Sequence, residues 1–538
     1  MRIEDYFEDF DKSYYYLGVI SQVYRSNAVI QVENLTLMNF KRINCEIFSP
    51  NTINFYVLIE SSNGIYFGEI FQSKVSNEAS VHKMLNSGQN EKIFPELGVE
   101  ILGYMPLEEK FFCLPGTNTV GITDKVYIAN EKIITAYVSS VEVRRNSEEK
   151  LSSFAKLCIN SQQYPVYLQP RTLFDRHLMA IGMTNSGKST SALSILDNLI
   201  SSNIKVLIID PTGEYKEAFN DEEVDKYNLG SDAFLSVSKL SFQHWAILFE
   251  INEGTQPAVL FEAIKSLRYQ KKIGKTVPYE KNGKFVNNIL RELNELTSED
   301  TDFDLCLLSK QIENEAVIEE RGKYKKDVFK FGINQYLIQK VNYKLENTSF
   351  INFFNSNEKD IIKVIEEFII NSKKSLYINT SAIGYSDGIG GMIIDLISNY
   401  ILNRSDQISR PFVIFIDEVH RYTTSKSFNG ESYYSGLTNI AREGRKKGIF
   451  LFLTTQNPND VDKVLLGQVG SLLIHRLTSI DELKVISNYL SEQQLKQVKN
   501  LNTGEAIFTS VNLLKDLYLK IDKCDRNHHN DTPSLWGI

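Results

Sequence analysis

The sequence predicts an α/β fold in which a small N-terminal β-barrel precedes a core with a parallel-type sheet, and a helical subdomain interrupts that core. Three observations predict it. Up to about Lys156 the chain shows short alternating apolar and polar runs, the pattern of half-buried antiparallel strands. From His177 onward, apolar strand-length runs alternate with stretches of helical period, as crossovers between parallel strands require. Between one such strand and its helix lies Gly182-Met183-Thr184-Asn185-Ser186-Gly187-Lys188-Ser189, which fits G-x-x-x-x-G-K-[ST].

The bulk properties set bounds. At 538 residues the chain exceeds one hydrophobic core, and 42% hydrophobic with 23% charged residues is the composition of a folded protein. No apolar run approaches membrane-spanning length, and the acidic start Met1-Arg2-Ile3-Glu4-Asp5-Tyr6 is unlike a secretory leader, so a cytoplasmic protein with no membrane partner is expected. Five scattered cysteines without C-x-x-C spacing point to a reducing compartment rather than to structural zinc. The net charge of −8 excludes a globally basic nucleic-acid binder but leaves room for a basic channel.

Taken in order, the barrel strands are expected around 18–24, 28–32, 55–59 and 65–70 within a domain spanning 1–160. The core is expected over 161–249 and 371–521, with strands at 178–182, 205–210, 375–380, 411–417, 449–455, 471–477 and 504–509. Residues 250–370 read as the helical insertion, in which Phe285, Ile289, Leu293 and Leu296 fall on one helix face. The stretch 522–538 reads as a polar tail.

The phosphate loop carries the first chemistry. Gly182 and Gly187 let the backbone curl so that its N–H groups and the following helix N-terminus face a phosphate. Lys188 is expected to reach the β/γ oxygens and Ser189 to hold Mg²⁺, with Thr184, Asn185, Ser186 and Thr190 completing the nucleotide cradle. The apolar strand Phe412–Ile416 then ends in Asp417-Glu418. Asp417 is placed to orient Mg²⁺, and Glu418 to polarise the water attacking the γ-phosphate. Asp210-Pro211-Thr212-Gly213-Glu214-Tyr215 ends another strand and offers Glu214 as a rival base. Glu418 is the economical choice, being next to the residue that orients the metal. Arg442 and Arg445, three apart in Ala441-Arg442-Glu443-Gly444-Arg445-Lys446-Lys447-Gly448, suit an arginine that stabilises transition-state charge on a neighbour's γ-phosphate. Gln456, at the end of the strand that follows, could sense the γ-phosphate or position water.

This concatenation of barrel, Arg176-His177 ahead of the P-loop, Asp-Pro-x-Gly-Glu-Tyr, insertion, Ile-Asp-Glu-x-His, Ala-Arg-Glu-Gly-Arg-Lys and Thr-Gln-x-Pro resembles the HerA branch of the HerA/FtsK ATPases. The chain departs from the pattern at Asn185 in the loop, where the family often has Gly, and at Thr212, where the family often has His. The resemblance implies a RecA-like P-loop ATPase core using ATP and Mg²⁺ and a hexameric homo-oligomer with nucleotide at subunit interfaces. It also implies translocation of double-stranded DNA and a barrel that docks a nuclease or other effector protein. By it, Lys188, Ser189, Asp417 and Glu418 act in their own subunit, Arg442 is a trans-acting finger and Gln456 a sensor.

The function expected is an ATP-dependent DNA translocase or helicase serving DNA end processing or antiviral defence. The alternatives are an ATP-gated scaffold that activates an effector without translocating, and a protein- or plasmid-transfer ATPase. DNA contacts are expected from the loop Arg421 to Ser427, whose Arg, Lys and hydroxyls suit phosphate-backbone contact. His420 reads as a packed or hydrogen-bonded neighbour of the site, and Cys524 with His528-His529 as part of a polar tail.

Overall fold

In the computed structural model the described residues are 3–7, 11–39, 41–43, 46–50, 52–53, 55–75, 86–88, 93–144, 149–159, 162–251, 254–354, 359–382, 389–422 and 435–527. Six antiparallel strands close the expected barrel in the order Tyr16–Val23, Asn27–Val32, Pro95–Pro106, Gly64–Val75, Phe55–Ser61, Lys125–Ile128. Closure leaves the sheet without a free edge. The strand Pro95–Pro106 carries no clean alternation and went unmarked in the sequence reading; the barrel recruits it between two strands that do.

The second sheet has eleven strands. From one edge they run 162–165, 155–159, 517–521, 505–510, 471–474, 178–181, 449–455, 412–416, 205–210, 375–379 and 224–228. The last seven in that order are mutually parallel, and the first four are antiparallel additions. The sheet therefore reaches back to Ala155, ahead of the expected boundary at 161, and gains the strands 224–228 and 517–521 at positions where the sequence is too mixed to mark them.

The parallel strands are buried on both faces, which is why they read as unbroken apolar runs. Alternate residues go to different cores. Leu178, Ala180, Val206, Ile208, Val413 and Phe415 join the helix Lys188–Ser201 in a core continuous with the barrel. Met179, Ile181, Leu207, Ile209, Ile414 and Ile416 join the core formed with the helix Ile389–Asn403 and the insertion.

The insertion is helical as expected, with a short hairpin at Val317–Glu320 and Lys323–Lys326. Its helices Gln256–Lys272, Leu308–Asn314 and Val328–Leu345 bury Leu260, Ile264, Leu308, Ile312, Leu337 and Val341 against one another. One expectation fails here. Phe285 precedes the helix Val286–Asn294 and is 52% exposed, so the apolar face consists of Ile289 and Leu293 with Leu296 packed beside them. The Phe285 ring instead lies under Lys323 Nζ, 4.5 Å away. At the chain's end Arg526 is held by Asp197 (2.5 Å) and Glu223 (2.7 Å), which fastens the first part of the tail. His528 and His529 lie outside the described residues.

Candidate nucleotide site at the carboxyl end of the sheet

Gly182 follows the strand Leu178–Ile181 directly, and the loop is pinned on three sides. Gly182 N–H donates to Thr455 O (3.3 Å), Met183 N–H to Arg476 O (3.2 Å), and Gly504 N–H to Ser186 O (3.0 Å). The turn back into the helix uses left-handed backbone at Asn185 (φ 63°) and Gly187 (φ 100°). At Gly187 a Cβ would lie 2.7 Å from Gly504 N, so only glycine fits there. The helix Lys188–Ser201 opens without a side-chain cap, and Ser191 N–H is the first to bond back, to Gly187 O at 3.0 Å. An uncapped helix start with orphan N–H groups is the cradle a phosphate chain fits. Ser189 and Thr190 lie half-buried in its first turn.

Lys188 is buried and ion-paired with Glu418 Oε1. The same oxygen accepts from Gln456 Nε2 (2.7 Å), and Gln456 Oε1 accepts from Thr184 Oγ1 (2.8 Å). Gln456 thus bridges the phosphate loop to the glutamate beyond the strand Phe412–Ile416. Glu418 Oε2 lies 3.1 Å from His420 Nδ1. Burial opposes the Glu418 charge, but His420, Lys188 and Gln456 outweigh it and hold the carboxyl down at about 2. Its backbone sits at φ 45°, a conformation that costs a non-glycine residue on the order of 1 kcal/mol or more.

Asp417 is 2% exposed. It accepts from Thr454 Oγ1 (2.5 Å), and Thr454 Oγ1 in turn accepts from Glu418 N–H (2.9 Å). Burial, reinforced by the Glu418 charge and opposed by Lys188, pushes the Asp417 carboxyl up to about 7. Thr454 and Lys188 offset only part of the cost of ionising this buried carboxyl, and a divalent cation would offset the rest, so the residues fit Mg²⁺.

Structure separates the two acids of the Asp-Pro-Thr-Gly-Glu turn. Asp210 accepts from Thr212 N (2.9 Å), Thr212 Oγ1 (2.8 Å), Gly213 N (2.8 Å), Tyr215 N (3.0 Å) and Tyr377 Oη (2.9 Å). Its role is to hold the turn. Thr212 takes part in that capping, and Glu418 rather than Glu214 is the acid on Lys188.

Arg442 lies elsewhere. It lies exposed in the last turn of the helix Ser435–Glu443, and Arg445 follows in a 3-10 turn at 444–447 rather than on the same helix. His177 locks this corner: its Nε2–H donates to Ala441 O (2.9 Å) and its Nδ1 accepts from Leu451 N–H (2.9 Å). His177 precedes the P-loop strand, so Arg442 stands at the amino end of the sheet. The seven-residue strand Ile449–Thr455 separates the two ends by roughly 20 Å, beyond the reach of one arginine side chain.

Of the expected DNA loop, Arg421 and Tyr422 form a tight turn in which Tyr422 is buried and Arg421 donates to Pro211 O (3.4 Å). Residues 423–427 lie outside the described residues. The sequence reading missed Thr454, His475, Thr503 and Gly504. Polar residues at or just beyond the ends of apolar strands were the available signal for Thr454 and His475.

The family model "Helicase HerA, central domain" matches residues 155–404. The chain is 24% identical over 392 residues to the probable helicase MJ1565 of Methanocaldococcus jannaschii, covering 70% of this chain and 68% of that one. It is also 24% identical over 420 residues to the DNA double-strand break repair helicase HerA of Sulfolobus acidocaldarius, covering 74% and 76%. The solved structure of VirB4 of Thermoanaerobacter pseudethanolicus aligns with a TM-score of 0.48 at 14% identity, over 71% of this chain and 98% of that one. Residues 155–404 thus carry a P-loop ATPase domain of the HerA/FtsK superfamily, and the Asp417-Glu418 pair follows just beyond the matched stretch.

Proposed function

We propose that this protein is a ring-forming, ATP- and Mg²⁺-dependent motor that translocates double-stranded DNA for a nuclease or other effector docked on the barrel domain, residues 1–160. The observation that carries it is the division of the site: Lys188, Asp417, Glu418 and Gln456 gather at one end of the sheet, and Arg442 stands exposed at the other. A neighbouring copy that brings its amino end to this carboxyl end completes the constellation. That relatives at this identity are named helicases supports the DNA substrate.

Within one subunit the loop N–H groups and Lys188 bind the phosphates, Ser189 and Asp417 hold the metal, and Glu418 polarises the attacking water. Mg²⁺, when bound, neutralises charge building on the phosphate oxygens. Lys188 must leave Glu418 to engage the phosphates, so nucleotide entry frees the base while Gln456 keeps it tied to Thr184. The neighbour's Arg442 then meets the charge on the γ-phosphate.

The test combines native mass spectrometry with ATP turnover on linear duplexes of increasing length. A translocase hydrolyses more ATP per binding event as the duplex lengthens, and Glu418→Gln abolishes both hydrolysis and effector activation on DNA. Length-independent turnover, with full effector activation by Glu418→Gln, would replace the motor by an ATP-gated scaffold.

A further inference from the structure

Two buried polar atoms beside the phosphate loop have no hydrogen-bond partner, Ser186 Oγ and His475 Nε2. Ser186 is 4% exposed and His475 0%. His475 follows the strand Ser471–Ile474, which pairs with the P-loop strand, and its N–H donates to Ile181 O (2.8 Å). The two side chains flank the same glycine. A Cβ on Gly182 would lie 2.5 Å from Ser186 Oγ and 2.6 Å from His475 Cβ.

The tautomer of His475 is decided by its other nitrogen. Nδ1 lies 3.0 Å from Glu505 O, and a carbonyl only accepts, so Nδ1 carries the hydrogen and Nε2 is a bare acceptor. Burial, with the Lys188 charge behind it, pushes the imidazole down to about 4, which keeps it neutral at physiological pH. A neutral acceptor cannot bond a phosphate oxygen. It requires a donor, and the Ser186 hydroxyl is a neighbouring donor with no other partner.

The segment that orients His475 also holds the loop. Gly504 N–H binds Ser186 O (3.0 Å), Thr503 Oγ1 binds Asn185 O (3.1 Å), and the next residue, Glu505, receives Nδ1–H. We propose that His475 is a positioning residue of the phosphate loop: its Nε2 accepts the Ser186 hydroxyl when the loop closes on the phosphates of a nucleoside triphosphate. The pair latches the loop in its phosphate-bound curvature, in which Ser186 N–H donates to Met183 O (3.1 Å), and keeps the uncapped start of the helix Lys188–Ser201 open to the ligand. This rests on the nucleotide reading given above.

A double-mutant cycle on the full-length protein tests it, with a fluorescent ATP analogue for affinity and phosphate release for turnover. In His475→Asn the amide nitrogen can still serve Glu505 O, while the atom corresponding to Nε2 is gone. His475→Asn and Ser186→Ala should each weaken nucleotide binding and raise KM about 5- to 10-fold with kcat within about 2-fold, the range that loss of one buried hydrogen bond gives. The double variant should be no weaker than the worse single one. His475→Gln, whose longer amide can place an acceptor near Nε2, should recover part of the affinity. Additive losses, or unchanged affinity in Ser186→Ala, overturn the latch; Ser186→Ala decides this even if His475→Asn fails to fold. A wild-type protein that binds no nucleotide would overturn the functional reading itself, a result distinct from additivity.

Discussion

The two ends of the parallel sheet hold different kinds of chemistry. At the carboxyl end, strand termini and the start of a helix converge, and Lys188, Asp417, Glu418, Thr454 and Gln456 are interlocked by hydrogen bonds in buried surroundings. At the amino end, Arg442 and Arg445 are exposed, and the buried group is His177, which organises backbone rather than substrate. The difference teaches that the carboxyl end is organised for binding within one chain, whereas the amino end offers charge outward. Parallel strands enforce this separation, because loops that follow strands all emerge on one side and loops that precede them on the other.

The sharpest way to break the comparison is to disable one end at a time. Lys188→Ala should lower hydrolysis by ~10³-fold or more and abolish tight nucleotide binding, since it removes the cation of the carboxyl end. Arg442→Ala should lower hydrolysis by a comparable ~10³-fold while leaving nucleotide affinity within a few-fold. Mixing the two inactive variants should recover measurable phosphate release, because some interfaces then pair an intact loop with an intact arginine. No recovery would place Arg442 outside the neighbour's site.

Smaller effects sharpen the picture within each end. Gln456→Leu should lower kcat by about 10- to 100-fold with a modest change in KM, by unfastening Glu418 from Thr184. At the amino end the readout is stability. Burial holds the His177 imidazole down at about 4, against 6.5 for the free side chain. The unfolded chain takes up a proton that the folded one refuses, so the stability is present above pH 6.5 and is lost as pH falls toward 4. The loss is on the order of 3 kcal/mol, and His177→Gln should remove most of it from the pH dependence of chemical denaturation.

Much of this was legible beforehand because its signals are local. The G-x-x-x-x-G-K-S loop, the apolar strand ending in Asp417-Glu418 and the alternation of strands and helices depend on neighbours in sequence. The strands at 224–228 and 517–521 carry no such pattern and are recruited at or beyond the parallel core by pairing with distant partners. Phe285 shows the opposite failure, an apolar period that runs past the real helix start.

By itself, then, the sequence determined the inventory: a barrel, a G-x-x-x-x-G-K-S loop ahead of a helix, two adjacent acids closing an apolar strand, and two arginines ahead of a strand. Only the tertiary structure decided how that inventory is dealt out. It committed Asp210 to a turn, tied Gln456 between Thr184 and Glu418, set His475 against Gly182, and put Arg442 a strand's length from its own loop. The reason is physical. Local pattern specifies which face or terminus a residue occupies, but which termini meet depends on strand order in the sheet, and that order is set by pairings hundreds of residues apart.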